Sequence, residues 1–168
     1  TIVGHPFIDR CLIDTSEERL YETRFARDTH WLLDEHRVRG GEALIPGTGY
    51  LEIVRTAFAQ RLEGGPNAAT IELSDVTFLS PFVVHEGRAR DLRVHLRAQG
   101  SAQRFAFVVS GRDATAGPDD VWVEHVRGTV ARVDARADAR AGSTVALADI
   151  RARCVLRRQD GAKPPVHL

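Results

Sequence analysis

A histidine, two glycines and a predicted helix start lie close together in the first third of the chain. His36 is followed by Gly40 and Gly41, and the Pro-Gly-Thr of residues 46–48 opens a run with helical spacing. A neutral imidazole can remove a proton near neutral pH, since its ordinary pKa is ~6.5. Glycines let a ligand approach the backbone, and free N–H groups at a helix start polarise a carbonyl whose oxygen gains negative charge. These residue types suit proton abstraction next to a thioester or ketone.

The spacing of apolar residues predicts the elements that position this chemistry. A helix is expected from an N-cap at Thr48 to about Glu63, where two glycines and a proline follow. Alternating and β-branched residues predict about six strands. The predicted strands cover residues 19–25, 70–78, 81–85, 91–98, 104–110 and 121–133. Alternation after Trp122 predicts a sheet with one solvent-facing side.

Composition narrows the classes of protein to consider. The chain has 168 residues with 23 basic and 23 acidic side chains, which is the length of about one domain and a net charge of zero. A neutral chain lacks the electrostatic footprint of a nucleic-acid binder or a polybasic membrane surface. No apolar run approaches the ~20 residues of a membrane span, and the first residues do not resemble a signal peptide, so we expect a cytoplasmic location. Cys11 and Cys154 are far apart, and neither a disulfide framework nor a metal site is expected.

Four motifs, one of them in two parts, carry a family resemblance. Residues 31–38 (Trp-Leu-Leu-Asp-Glu-His-Arg-Val) lead into residues 44–52 (Leu-Ile-Pro-Gly-Thr-Gly-Tyr-Leu-Glu). Around them lie Gly-His-Pro-Phe at 4–7, Val-Thr-Phe-Leu-Ser-Pro-Phe at 76–82 and Trp-Val-Glu-His-Val-Arg-Gly at 122–128. Together they resemble the dehydratase domains of modular type I polyketide synthases, whose active-site motif is His-x-x-x-Gly-x-x-x-x-Pro.

The resemblance implies an α+β hot-dog fold, in which an antiparallel sheet wraps a long central helix. Family members are double hot-dogs, and this chain is similar to the first half. Residues 1–133 are then the N-terminal hot-dog, and residues 134–168 are a linker toward a second hot-dog that this chain does not contain. The family's catalytic acid, an aspartate, belongs to that second half. Asp149 and Asp160 are poor candidates for it, since both lie in or beyond the linker.

The resemblance also implies roles for individual residues. His36 is the catalytic base, which takes the α-proton of a 3-hydroxyacyl thioester. N–H groups around Gly40, Gly41 or Gly47 are implied to bind the thioester oxygen. Pro46 is implied to shape the turn, and Tyr50 and Leu51 are implied to lie along the substrate tunnel. An aromatic residue in a helix is as commonly part of the core, so Tyr50 has that second interpretation. Pro46 lies one residue further from His36 than in the family's motif, so either Gly40 or Gly41 can be the motif glycine, and we expect a local bulge.

The implied reaction is loss of water from a chain held on the phosphopantetheine arm of an acyl carrier protein, giving a trans-2-enoyl thioester. The implied partners are that carrier protein, the second hot-dog and, in the full synthase, a dimer partner; no tightly bound cofactor is needed. Two alternatives stay open. One is a dehydratase-like domain that shifts a double bond or closes a pyran ring, and the other is a non-catalytic acyl-binding or scaffold hot-dog. His125, also followed by a glycine, is expected to be structural because it lies on a strand without a helix start after it.

Overall fold

The computed structural model describes residues 2–38, 42–62, 70–117 and 119–133. Within these ranges it contains two helices and nine strands. The helices are α1 (Trp31–Glu35) and α2 (Gly47–Ala59). The strands are β1 (Ile2–His5), β2 (Ile8–Asp14), β3 (Glu18–Ala26), β4 (Ala43–Leu44), β5 (Thr70–Phe78), β6 (Val83–Val84), β7 (Ala89–Gln99), β8 (Ser101–Asp113) and β9 (Val123–Val133).

Seven of the strands form one antiparallel sheet in the order β1-β2-β3-β7-β8-β9-β5, and β4 pairs with β6 in a second, small sheet. The sheet wraps α2, whose buried face includes Ile53, Val54 and Phe58. Phe58 packs on Phe105 of β8 with ring centroids 5.9 Å apart. Burial of these large apolar side chains holds the helix in the curve of the sheet. The predicted hot-dog architecture is therefore confirmed.

The helix is shorter than its apolar spacing predicted. It ends at Ala59, with Gln60 as C-cap, rather than near Glu63. The N–H of Arg61 donates to Phe58 and that of Leu62 to Ala59, so the chain tightens into i→i−3 bonds after the last helical turn. Leu62 still packs against the core, which explains why it fitted the helical pattern. The expected N-cap at Thr48 is wrong, because Pro46 occupies that position and no side chain caps the helix.

Charged and aromatic side chains cover the outer face of the sheet, so the sheet has the solvent-facing side that was predicted. The alternation from which it was predicted is interrupted in β9, where His125 and Val126 are both buried. The Glu22 carboxylate lies between the guanidinium groups of Arg10 on β2 and Arg93 on β7. Trp122, just before β9, lies between Arg93 and Arg112, whose guanidinium carbons are 4.0 and 4.5 Å from its ring centroid. Cation–π contacts of this kind cover the sheet without burying it completely.

Residues 1–137 form one compact unit. The predicted linker, residues 134–168, lies outside the described residues, so the boundary at residue 133 stays a prediction. In the part of the chain that the structure describes, no helix combines the length and the apolar character needed to cross a bilayer.

Candidate active site

His36 follows directly on α1 as its C-cap, with φ −113°, ψ 79° and an exposed side chain. Leu32 and Leu33 are buried, so the short helix packs on the core and holds the backbone of His36 in place. The carbonyl of His36 accepts a hydrogen bond from the N–H of Leu44 at 3.1 Å. The candidate base is therefore tied, through one main-chain bond, to the residues that lead into α2.

The chain between His36 and Leu44 pairs back on itself. Arg37 forms a β-bridge with Ala43, and the N–H of Val38 donates to the carbonyl of Glu42 at 2.9 Å. These pairs share a single register, so the bulge expected from the additional residue is not found among them. The connection that remains, residues 39–41, lies outside the described residues. It contains both candidate motif glycines, Gly40 and Gly41, whose roles stay predictions.

Pro46 opens α2 and fixes its first turn. It has extended dihedral angles (φ −68°, ψ 158°), and its carbonyl accepts the N–H groups of Gly49 at 2.9 Å and Tyr50 at 3.4 Å. The N–H groups of Gly47 and Thr48 precede these, and the first donors of a helix have no intrahelical acceptor. Gly47 is exposed. This end of α2 therefore has main-chain donors available for a negatively charged oxygen, and the role of Gly47 in binding the thioester oxygen stays a prediction.

Tyr50 lies in the core, with 3% of its surface exposed. Its hydroxyl oxygen accepts a hydrogen bond from the N–H of Phe82 at 2.8 Å. Burial raises the pKa of Tyr50 to about 12, and the Phe82 N–H and Arg90 offset that effect only in part, so the hydroxyl is protonated at neutral pH. This placement matches the core interpretation of an aromatic in a helix. Leu51, one residue on, is half-buried, and contact of either residue with substrate stays a prediction.

Two exposed apolar residues near the helix start were not singled out from the sequence. Phe78, the last residue of β5, is 54% exposed, and Leu79 after it is 46% exposed. Two carbons of the Phe78 ring lie 3.5 Å from the position that a Cβ on Gly47 would occupy. A signal was present, since an aromatic followed by leucine ends a predicted strand in the segment 76–82. Its exposure could not be predicted, because alternation does not show which strand lies at the edge of the sheet.

His125 lies on β9 and is buried, which confirms its structural interpretation. Its Nδ1 lies 3.1 Å from the carbonyl oxygen and 3.0 Å from the hydroxyl oxygen of Ser80. Between Val109 and Ser110 the register of β8 with β9 shifts, so His125 has no residue opposite and both it and Val126 are buried. No group of three or more His, Cys, Asp or Glu side chains within the described residues could hold a metal ion.

Comparison with known proteins identifies the family. The profile of the polyketide synthase dehydratase domain matches residues 5–112. This chain belongs to the polyketide synthase dehydratase family. The matched segment contains His36, the Pro46 turn and all of α2. The late segment 122–128 lies beyond it.

Two polyketide synthases are similar to this chain at the level of sequence. Polyketide synthase GfsE of Streptomyces halstedii is 28% identical over 135 residues, which are 80% of this chain and 3% of that protein. Polyketide synthase ThaG of Burkholderia thailandensis is 34% identical over 119 residues, 68% of this chain and 2% of that protein. The chain therefore spans a small part of each synthase.

Solved structures of dehydratase domains show the same fold. The dehydratase domain from the CurJ module of the curacin polyketide synthase superposes with a TM-score of 0.72 at 24% identity, over 89% of this chain and 47% of that one. A variant of the first dehydratase domain of GphF gives a TM-score of 0.61 at 30% identity, over 76% of this chain and 43% of that one. This dehydratase chain spans about half of each structure, and it is the N-terminal hot-dog half.

Proposed function

We propose that this chain supplies the base side of a dehydratase active site that acts on a 3-hydroxyacyl thioester carried by an acyl carrier protein. His36 removes the proton from the carbon next to the thioester carbonyl. The electron pair of that C–H bond forms the new C=C bond, and the C–O bond to the 3-hydroxyl breaks. An acid from the second hot-dog protonates the leaving hydroxyl, so the products are water and a trans-2-enoyl thioester.

The observation that carries the proposal is the link between His36 and the start of α2. His36 is exposed, and its carbonyl is bonded to Leu44, two residues before the Pro46 that caps the helix. Negative charge develops on the thioester oxygen as the α-proton leaves, and main-chain donors at the helix start stabilise such charge. A base and an oxyanion-binding end on one short segment are what this elimination needs.

The solved relatives add support for the two-residue chemistry. The structures that superpose on this chain include inactive mutants of the CurK dehydratase, one with a histidine replaced by phenylalanine and one with an aspartate replaced by asparagine. We infer that His36 corresponds to the histidine and that the aspartate lies in the second hot-dog. The carrier protein, its phosphopantetheine arm and the second hot-dog are accordingly the proposed partners, and the polyketide intermediate on the arm is the substrate.

The test replaces His36 in the complete dehydratase domain, both halves together. We expect His36→Ala to slow dehydration of a 3-hydroxyacyl carrier protein by about 10²- to 10⁴-fold, the usual contribution of a positioned general base. Loss of water from the acyl chain, followed by mass spectrometry, measures it. His95→Ala is the matched control, since His95 lies on β7, pairs with Glu18 and has no part in the proposed chemistry. Undiminished turnover by His36→Ala would show the proposal to be wrong.

A second activity within the same class is favoured by one relative. The GphF structure is described as an isomerase-inactive variant, so the parent domain is an isomerase, and it is 30% identical to this chain. A base that removes the α-proton can equally remove a γ-proton from an enoyl thioester. Incubation with the trans-2-enoyl carrier protein distinguishes the two reactions, because an isomerase shifts the double bond whereas a dehydratase without that activity returns only the hydrated and dehydrated forms.

A further inference from the structure

The main chain of Phe82 connects the turn before α2 with the helix itself. Its N–H donates to the hydroxyl of Tyr50 at 2.8 Å, and its carbonyl accepts the N–H of Ile45 at 3.3 Å. Ile45 is bonded covalently to Pro46, whose carbonyl accepts the N–H of Tyr50 at 3.4 Å. Ile45, Pro46, Tyr50 and Phe82 therefore close a ring of hydrogen bonds around the turn that carries the candidate oxyanion donors.

Phe82 is a firm anchor for this ring because its side chain is held on several sides. The phenyl ring of Phe82 packs edge-on against the rings of Phe25 and His125, with centroid distances of 5.8 and 5.2 Å. The guanidinium carbon of Arg90 lies 4.5 Å from the centroid of the phenyl ring. A Cβ built at Gly111 would lie 2.5 Å from the Phe82 ring, so the ring lies directly on the backbone of β8. Phe82 itself is fully buried.

Within the described residues, the Tyr50 hydroxyl is the only hydrogen-bond acceptor for the N–H of Phe82. Tyr50 is buried, so water cannot readily replace the hydroxyl if it is removed. The ring of hydrogen bonds would then be broken between Phe82 and Tyr50. The main chain of Phe82 would keep its hydrogen bond to Ile45 but would lose its connection to the helix. Leu44, which binds the carbonyl of His36, is the neighbour of Ile45. A displacement of the Ile45–Gly47 turn therefore moves both the main-chain donors at the start of α2 and His36.

We propose that Tyr50 is a positioning residue for the proton abstraction, acting through Phe82 to hold the Ile45–Gly47 turn against the thioester oxygen. This inference rests on the function proposed above. Tyr50 does not need to touch the substrate for it. Oxyanion donors stabilise the transition state because they are held in place before the reaction. A displacement of these donors by up to about 1 Å is therefore enough to reduce the rate strongly.

The test is Tyr50→Phe in the complete dehydratase domain, which deletes the hydroxyl and keeps the ring. We expect kcat for dehydration to fall roughly ten- to a hundredfold with KM nearly unchanged, because the lost interaction acts in the transition state. Hydrogen exchange should become faster in peptides that contain Ile45 and Phe82. Placing 3-fluorotyrosine at position 50 keeps a hydroxyl, and it should restore kcat to within about threefold of the wild type.

Tyr21→Phe is the matched control, because the chain contains two tyrosines and both are buried. The Tyr21 hydroxyl accepts from Arg19 at 3.2 Å, and the residue lies near Arg61, beyond the opposite end of α2. If Tyr50→Phe and Tyr21→Phe have the same kcat, or if 3-fluorotyrosine does not restore the rate, the role of Tyr50 is wrong. His36→Ala is assayed in parallel. Undiminished turnover there overturns the proposed function itself, whereas an inactive His36→Ala beside a fully active Tyr50→Phe overturns only the positioning role.

Discussion

His125 is a buried histidine that the proposed reaction does not use. It is 2% exposed, and its Nδ1–H points at the carbonyl and hydroxyl oxygens of Ser80. Its Nε2 is buried without a hydrogen-bond partner among the described residues. Burial lowers the pKa of His125 below its ordinary value of 6.5, Arg90 lowers it further, and the Ser80 carbonyl raises it in part. The fold therefore favours the neutral ring.

This preference predicts how stability changes with pH. As pH falls through 6.5, the unfolded chain binds a proton on His125 that the folded chain does not, so the free energy of unfolding falls. We expect His125→Asn, which keeps a donor toward Ser80 but cannot titrate, to reduce this loss of stability. Urea unfolding of wild type and variant at pH 8 and pH 6 measures it. An identical pH dependence in the two proteins would contradict the prediction.

At the scale of elements, the first turn of α2 contains two glycines with different surroundings. A Cβ built at Gly49 would lie 2.9 Å from Cγ2 of Ile45 and 3.3 Å from Cδ of Pro46. A Cβ at Gly47 would lie 3.5 Å from the Phe78 ring, an ordinary contact. The turn therefore packs against the helix backbone at Gly49 and leaves room at Gly47.

We expect Gly49→Ala to destabilise the domain even though alanine favours helix. The gain in helix propensity is about 1 kcal/mol, and the cost of overpacking a rigid site is about 1–3 kcal/mol, so the net loss is about 1 kcal/mol. Gly47→Ala is the control and should leave the melting temperature equal to or above that of the wild type. Thermal unfolding of both variants measures the difference. A Gly49→Ala variant as stable as Gly47→Ala would show that Ile45 and Pro46 move aside without cost.

Elements with long, regular patterns were predictable from the sequence, whereas most short or irregular ones were not. The prediction for residues 81–85 is an exception, since it contains the two-residue β6. The prediction for residues 70–78 coincides with β5, and that for residues 19–25 lies within β3. Nothing was predicted for β1 or β2, where a register shift between Cys11 and Ile13 interrupts the alternation that marks a strand. The five residues of α1 are too few to show helical periodicity.

Some residues of the candidate site were predictable from the sequence, and others were not. His36 and Pro46 could be found because their side chains and spacing resemble a motif. The contribution of Phe82 could not, since it acts through its own N–H and carbonyl, which every residue except proline has. Only the fold brings Phe82, just before β6, to the start of α2.

At the scale of the whole molecule, the described part of the chain leaves an apolar edge next to its candidate site. β5 lies at one end of the seven-stranded sheet and, among the described strands, pairs only with β9. Phe78 and Leu79 are exposed at the end of that strand, and the Phe78 ring lies beside Gly47. An edge strand with unpaired main-chain groups and exposed apolar side chains favours association. We expect the second hot-dog of the proposed full domain to cover this edge.

The 168-residue chain produced by itself should therefore pair with a second copy through β5. Sedimentation velocity over a range of concentrations measures this, and we expect a monomer–dimer equilibrium. Replacing Phe78 and Leu79 together by serine removes about 2 kcal/mol of apolar burial, which weakens the dimer by at least about 30-fold. Leu12→Ser is the matched control, since Leu12 is similarly exposed but lies on β2, between β1 and β3. A monomer at every concentration, or equal weakening by Leu12→Ser, would show that the β5 edge does not drive self-association.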